Sequence, residues 1–121
     1  GLNSGNYSTA IDIALLAKEA LSHIEIREAT KSSSHSFKTE GGRMKTIHTT
    51  DDLLINFPTN GVKLLGGKTG FTDAAGYCFV GGFIDENGRE LVSVILGAET
   101  SNTRFSETKN LIDGTYENID K

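Results

Sequence analysis

Apolar residues recur at steps of three and four near the start of the chain. Ala10, Ile13, Ala14, Ala17 and Leu21 share one side of a 3.6-residue period, and Lys18 and Glu19 are left facing water. This spacing predicts an amphipathic helix running to about Leu21. Its start carries its own signal. Thr9 followed by Asp12 fits the Ser/Thr-x-x-Asp/Glu capping box, with Ser8 as the alternative cap. A shorter helix is expected over roughly His23–Thr30, with Ile24 and Ile26 as its apolar positions. Residues 31–36, Lys-Ser-Ser-Ser-His-Ser, read as a polar loop. Two short β-prone runs, Ser36–Thr39 and Arg43–Thr49, then flank Gly41-Gly42, which suggests a small hairpin. The stretch Thr49–Asn60 holds Leu53-Leu54-Ile55 and the single proline, Pro58, and reads as a loop with one buried apolar turn.

From residue 61 the period changes from helix to strand. Val62–Thr72, Tyr77–Ile84 and Arg89–Leu96 are the candidate strands. Asp85-Glu86-Asn87-Gly88 separates the last two, and Asn-Gly is a strong hairpin signal when both central residues take positive φ. Leu91, Val92, Val94, Ile95 and Leu96 are apolar on both faces, so the third strand is expected in the middle of its sheet. Asn102–Ile119 reads as a closing helix with Phe105, Leu111, Ile112 and Tyr116 on its inner side, weakened by Gly114.

Composition narrows the classes. A chain of 121 residues is one ordinary domain with room for a single core. Twelve Lys plus Arg against sixteen Asp plus Glu give a net charge of −4, so the basic footprint of a nucleic-acid binder is absent. No apolar run approaches the roughly 20 residues of a membrane span. The lone Cys78 excludes an internal disulfide framework, and His23, His35 and His48 form no metal-ligand spacing. The chain opens on Gly1-Leu2-Asn3-Ser4-Gly5-Asn6 with neither an initiating Met nor a visible signal peptide, and it is expected to start partway through a larger domain.

Candidate chemistry concentrates in Gly66-Gly67-Lys68-Thr69-Gly70-Phe71-Thr72-Asp73-Ala74-Ala75-Gly76. One reading is a phosphate loop, since Gly61 to Lys68-Thr69 nearly matches GxxxxGK[ST]. Five residues separate Gly61 from Gly67 where the motif has four. A phosphate loop also needs a helix directly after Lys-Thr, and Gly76-Tyr77-Cys78-Phe79-Val80 reads as strand. A second reading is the Lys-Thr-Gly strand of active-serine penicillin-recognising enzymes. A strand edge offers its backbone to an extended peptide. A lysine and a threonine hydroxyl can hold a carboxylate there, and a following glycine lets the substrate approach. The plain alternative is a sheet edge with a solvated lysine, because chance alone yields this tripeptide in roughly one of ten such chains.

The surroundings add to the tripeptide. Gly67-Lys68-Thr69-Gly70-Phe71-Thr72, then Ala75-Gly76-Tyr77, then Leu96-Gly97-Ala98 resemble the serine-type D-Ala-D-Ala carboxypeptidases, the low-molecular-mass penicillin-binding proteins. Gly1-Leu2, Tyr7-Ser8-Thr9-Ala10 and Asp12-Ile13-Ala14-Leu15-Leu16-Ala17 are similar to the segment that follows that family's second catalytic motif, and Arg104 with Leu111-Ile112 fits its C-terminal helix. Two decoys match family motifs in the wrong place. Ser106-Glu107-Thr108-Lys109 follows Lys68 instead of preceding it, and Ser4-Gly5-Asn6 sits where the family has a variable loop. The resemblance therefore implies that the chain is the C-terminal part of the catalytic domain. The nucleophile, its Ser-x-x-Lys lysine, the Ser-x-Asn loop and the first strands would lie upstream.

The resemblance implies an α+β fold, an antiparallel sheet flanked by helices, as a partial β-lactamase/transpeptidase-like domain. It implies a bacterial, extracytoplasmic hydrolase, periplasmic or at the cell surface. Such an enzyme trims the terminal D-Ala from peptidoglycan stem peptides and binds β-lactams, with no metal or cofactor. Lys68 would hold the substrate carboxylate and join the proton network. Thr69 would donate its hydroxyl to the same carboxylate, and Gly70 would leave room for the substrate. The N–H of Phe71 would be one oxyanion donor. Relatives often carry histidine at the Phe71 position, so an aromatic residue there is expected to alter substrate preference or pH dependence. Gly76 is expected to mark a turn, Asp73 to shape one, and Cys78 to be a buried small hydrophobe. His35 and His48 are expected to be solvated, with nothing in the sequence placing them near Lys68. A non-catalytic interaction module of the same fold is the rival, and an upstream region lacking Ser-x-x-Lys would favour it. Without upstream strands, the Arg89–Leu96 strand would present an apolar edge seeking the missing half of the domain or a second copy.

Overall fold

The structure, a computed structural model, describes residues 2–56 and 61–119. Pro58 lies outside the described residues. In chain order the elements are α1 (Ala10–Ala20), α2 (Ile24–Thr30), β1 (Ser34–Lys38), β2 (Met44–His48), α3 (Leu53–Asn56), β3 (Val62–Thr72), β4 (Gly76–Asp85), β5 (Glu90–Ala98) and α4 (Ser101–Ile119). The α+β expectation holds. The N-cap expectation also holds: Thr9 is the N-cap of α1, and the Asp12 N–H donates to Thr9 Oγ1 at 3.2 Å.

β3, β4 and β5 form an antiparallel sheet in that order. Strand alternation divides its faces. Phe79 and Phe83 of β4 point toward α4, where Phe79 meets Phe105 edge-on with centroids 5.3 Å apart. With Leu53, Ile112 and Tyr116 they make the core, and Val62, Leu64 and Leu91 close its margin. On the opposite face Gly82 lies under Leu21 at the end of α1. The glycine pair before Lys68 also has a packing reason. A Cβ on Gly67 would sit 2.7 Å from the Phe79 ring and 3.0 Å from the Val80 carbonyl oxygen, so only hydrogen fits there.

Several expectations are corrected. Among the described residues β4 is the middle strand and β5 pairs only with β4, so these three strands do not supply the neighbour expected on the outer side of β5. β1 begins at Ser34, so half of the expected polar loop is strand. Its hydroxyls are compatible with that state, since Ser36 and Thr46 pair across the hairpin at 2.7 Å. The β1–β2 and β4–β5 hairpins use one turn design. The Gly42 N–H donates to the Thr39 carbonyl at 2.8 Å and Gly88 to Asp85 at 3.1 Å, with φ of 81° and 78° at the two glycines. No described non-glycine residue has positive φ, so Asn87 does not form the two-residue turn its pairing with Gly88 suggested. Each loop is a three-residue connection closed by a left-handed glycine.

The β4–β5 turn is fastened further. Arg89 donates through Nε to Asp85 Oδ2 at 2.6 Å, and Tyr116 Oη of α4 donates to the Arg89 carbonyl at 2.8 Å. Burial works against the charged form of Asp85. The N–H groups of Arg89 and Asn87 and the Arg89 guanidinium outweigh it and hold the carboxyl below its ordinary range. α4 runs through Gly114 unbroken. Its inner face is Arg104, Phe105, Thr108, Ile112 and Tyr116, while Leu111 is 47% exposed, contrary to expectation. Steps of four from Thr108 place Ile112 and Tyr116 inward and turn Leu111 out.

Candidate functional site

β3 carries the Lys-Thr-Gly tripeptide, and it pairs only with β4 among the described residues. Its other edge borders an open cleft of about 380 Å3. The far wall comes from the end of α2, the β1–β2 hairpin and the linker that follows β2. Thr30, His35, His48, Thr50, Lys68 and Thr69 all line the cleft. His35 and His48 are exposed, as expected, and the fold adds that they share this cleft with Lys68. The pairings Ser34↔His48 and His35↔Ile47 put the two imidazoles on opposite faces of the hairpin.

Register places each predicted site residue. Lys68 and Gly70 pair with Val80 and Cys78, and Thr69 and Phe71 pair with Phe79 and Tyr77. Alternation thus sends Lys68 and Thr69 to opposite faces of the strand, though both border the same cleft. Lys68 is exposed, and its ammonium donates to the Thr69 carbonyl at 2.6 Å. Thr69 Oγ1 lies 2.5 Å from Thr50 Oγ1. Phe71 is 51% exposed and stacks on Tyr77 with centroids 4.3 Å apart.

The strand is held from beneath by a residue that sequence reasoning left in the closing helix without a task. Arg104 donates from one terminal nitrogen to the Gly70 carbonyl at 3.4 Å and from the other to Ser101 Oγ at 3.0 Å. Its guanidinium carbon sits 5.4 Å from the Tyr77 ring centroid and 4.8 Å from that of Phe105. Asp51, 4% exposed, is a second missed residue. Its Oδ1 accepts from the Leu53 N–H at 2.9 Å, and its Oδ2 has no hydrogen-bond partner among the described residues. Burial raises its carboxyl above the usual range and nearby Asp52 adds to this, while the Leu53 and Leu54 N–H groups and Arg104 act the other way. The only sequence signal for Asp51 was the polar run Thr49-Thr50-Asp51-Asp52 ahead of an apolar turn.

Cys78 is half-buried, with its Sγ 3.7 Å from the carbonyl oxygens of Ala75 and Gly76. The turn between β3 and β4 is bonded by Thr72, whose Oγ1 accepts from the Ala75 N–H at 3.0 Å. Ser106 is exposed on α4 and donates to the Thr103 carbonyl at 3.1 Å. Ser4 is exposed before α1, and neither serine lines the cleft of Lys68. The phosphate-loop reading is overturned, because the chain continues as strand through Thr72 and no helix follows Thr69.

Comparison with known proteins identifies the family. The family model described as D-alanyl-D-alanine carboxypeptidase, peptidase S11, matches residues 1–100. The chain is 30% identical over 112 residues to the D-alanyl-D-alanine carboxypeptidase DacF of Bacillus subtilis, covering 93% of this chain and 28% of DacF. It is 27% identical over 115 residues to the D-alanyl-D-alanine carboxypeptidase DacB2 of Mycobacterium tuberculosis, covering 93% of this chain and 38% of DacB2. The crystal structure of a D-alanyl-D-alanine carboxypeptidase from Mycobacterium tuberculosis superposes with a TM-score of 0.77 at 28% identity, over 95% of this chain and 43% of that one. The chain thus spans well under half the length of these relatives. On the family match and the shared fold together, it belongs to the D-alanyl-D-alanine carboxypeptidase family, peptidase S11.

Proposed function

We propose that the chain is the C-terminal portion of the catalytic domain of a serine-type D-Ala-D-Ala carboxypeptidase. The whole protein removes the terminal D-Ala from peptidoglycan stem peptides outside the cytoplasmic membrane and is acylated by β-lactams. The observation that carries this reading is the Lys68-Thr69-Gly70 tripeptide on the open edge of β3, beside a cleft, in a chain of this family. An extended peptide laid along that edge finds backbone partners. Lys68 and the Thr69 hydroxyl hold its C-terminal carboxylate. Gly70 leaves room for it, and the Phe71 N–H serves as one oxyanion donor, paired with the N–H of the nucleophilic serine. That serine attacks the carbonyl of the penultimate D-Ala and expels the terminal D-Ala. Water then resolves the acyl-enzyme.

The serine, its lysine partner and the Ser-x-Asn loop are placed upstream of Gly1. The outer edge of β5 is the seat of the upstream strands in the whole protein, or of a second copy when this chain is alone. Acylation by a fluorescent penicillin tests the reading. The full-length protein should label at one serine upstream of this segment, and Lys68→Ala should slow labelling by roughly a hundredfold. The 121-residue chain by itself should not label. Labelling at Ser106 would overturn the assignment.

A further inference from the structure

Thr50 does not belong to the Lys-Thr-Gly motif, yet its hydroxyl is the partner of that motif's threonine, at 2.5 Å across the cleft wall. A threonine hydroxyl has one proton to give and two lone pairs to accept with, whereas a carboxylate only accepts. One proton lies between Thr50 and Thr69. If Thr69 supplied it, Thr69 would turn lone pairs toward an arriving carboxylate. If Thr50 supplies it, Thr69 keeps its own proton for the ligand, and the first bond polarises the second.

The linker holds Thr50 in place for this task. On one side, the Thr49 N–H donates to the Ser33 carbonyl at 2.8 Å, and Thr49 Oγ1 accepts from the Asp51 N–H at 3.1 Å. On the other side, buried Asp51 accepts from the Leu53 N–H at 2.9 Å, and its carbonyl accepts from Leu54 at 3.3 Å. Thr50 sits between two anchored neighbours and lines the same cleft as Lys68 and Thr69. We propose that Thr50 is a positioning residue: its O–H donates to Thr69 Oγ1 and so aims the Thr69 O–H at the carboxylate of the substrate. The inference rests on the carboxypeptidase reading above.

The test is made in the full-length protein that carries this chain, with kcat/KM on a peptide ending in D-Ala-D-Ala as the readout. Thr50→Val should lower kcat/KM about tenfold, and Thr50→Ser should restore it to within about threefold. Thr50→Val combined with Thr69→Val should be no worse than Thr69→Val alone, because the first acts through the second. Thr50→Val within twofold of wild type, failure of Thr50→Ser to restore activity, or additive losses in the double variant would each overturn the proposal. Failure of the underlying reading looks different. A wild-type protein with no activity on the peptide and no acylation by penicillin would remove both. An active wild type impaired by Thr69→Val but not by Thr50→Val would remove the Thr50 role alone.

Discussion

Helices α4 and α1 cover opposite faces of the same three-stranded sheet, and they cover them unequally. Toward α4 the sheet presents Phe79 and Phe83, which with Phe105, Ile112 and Tyr116 exclude water almost completely. Toward α1 only Ala17 and Leu21 of the helix region are buried, while Ile11, Leu15 and Leu16 are 74%, 63% and 64% exposed. A groove of about 550 Å3 remains there, with Leu15, Leu21, Leu65, Leu91 and Val92 in its walls. The Arg27–Glu90 ion pair, at 3.2 Å, borders it. The α4 side is a finished core. The α1 side leaves Ile11, Leu15 and Leu16 in solvent beside that groove. The Lys68 edge is the border of the sheet opposite β5, tied to the finished side through the Arg104–Gly70 bond.

The sharpest way to break this contrast is to truncate one residue on each side. Phe83→Ala removes a ring with no solvent exposure and should cost about 3–5 kcal/mol of stability in urea denaturation. Leu15→Ser, on the uncovered face, should change stability by no more than about 0.5 kcal/mol. Comparable losses from the two would mean that α1 is as much core as α4.

Association is the next test. The isolated chain should show a light-scattering mass above its 13.0 kDa at high concentration. Leu15→Ser should reduce that excess. A clean wild-type monomer would contradict the reading of the β5 edge and the α1 face as partner surfaces.

The smallest effect is a pH dependence at Asp51. Its folded carboxyl titrates above the ordinary range because it is buried, so the folded state holds the proton more tightly than the unfolded chain does. The stability linked to that proton is present at low pH and is lost as pH rises through the folded value. Asp51→Asn keeps an oxygen for the Leu53 N–H and removes the charge. The variant should match wild type near about pH 3 and exceed it near about pH 7 in thermal melts. A variant less stable than wild type at neutral pH would show that the carboxylate is satisfied where it lies.

Much of this molecule was legible in its sequence because local rules suffice there. The Thr9 cap, the three strands after residue 61 and the closing helix each follow from patterns within about a dozen residues. The glycine of each hairpin turn is equally local, since one left-handed position must be filled whatever the rest of the chain does. The candidate site was half legible. Lys68, Thr69, Gly70 and Phe71 are contiguous and carry a family signature, whereas Arg104, Asp51 and Thr50 have no spacing that announces them. The Arg104–Gly70 bond spans 34 residues and the Thr50–Thr69 contact spans 19.

The sequence by itself therefore determined the elements, their capping and the chemistry displayed on one strand. Only the tertiary structure decided that β4 lies between β3 and β5, that Leu111 faces out, and that the hairpin histidines share a cleft with Lys68. The physical reason is range. Propensity and periodicity act between neighbours along the chain. Strand order and cleft walls are set by packing between segments far apart, where one apolar pattern can be satisfied by more than one partner.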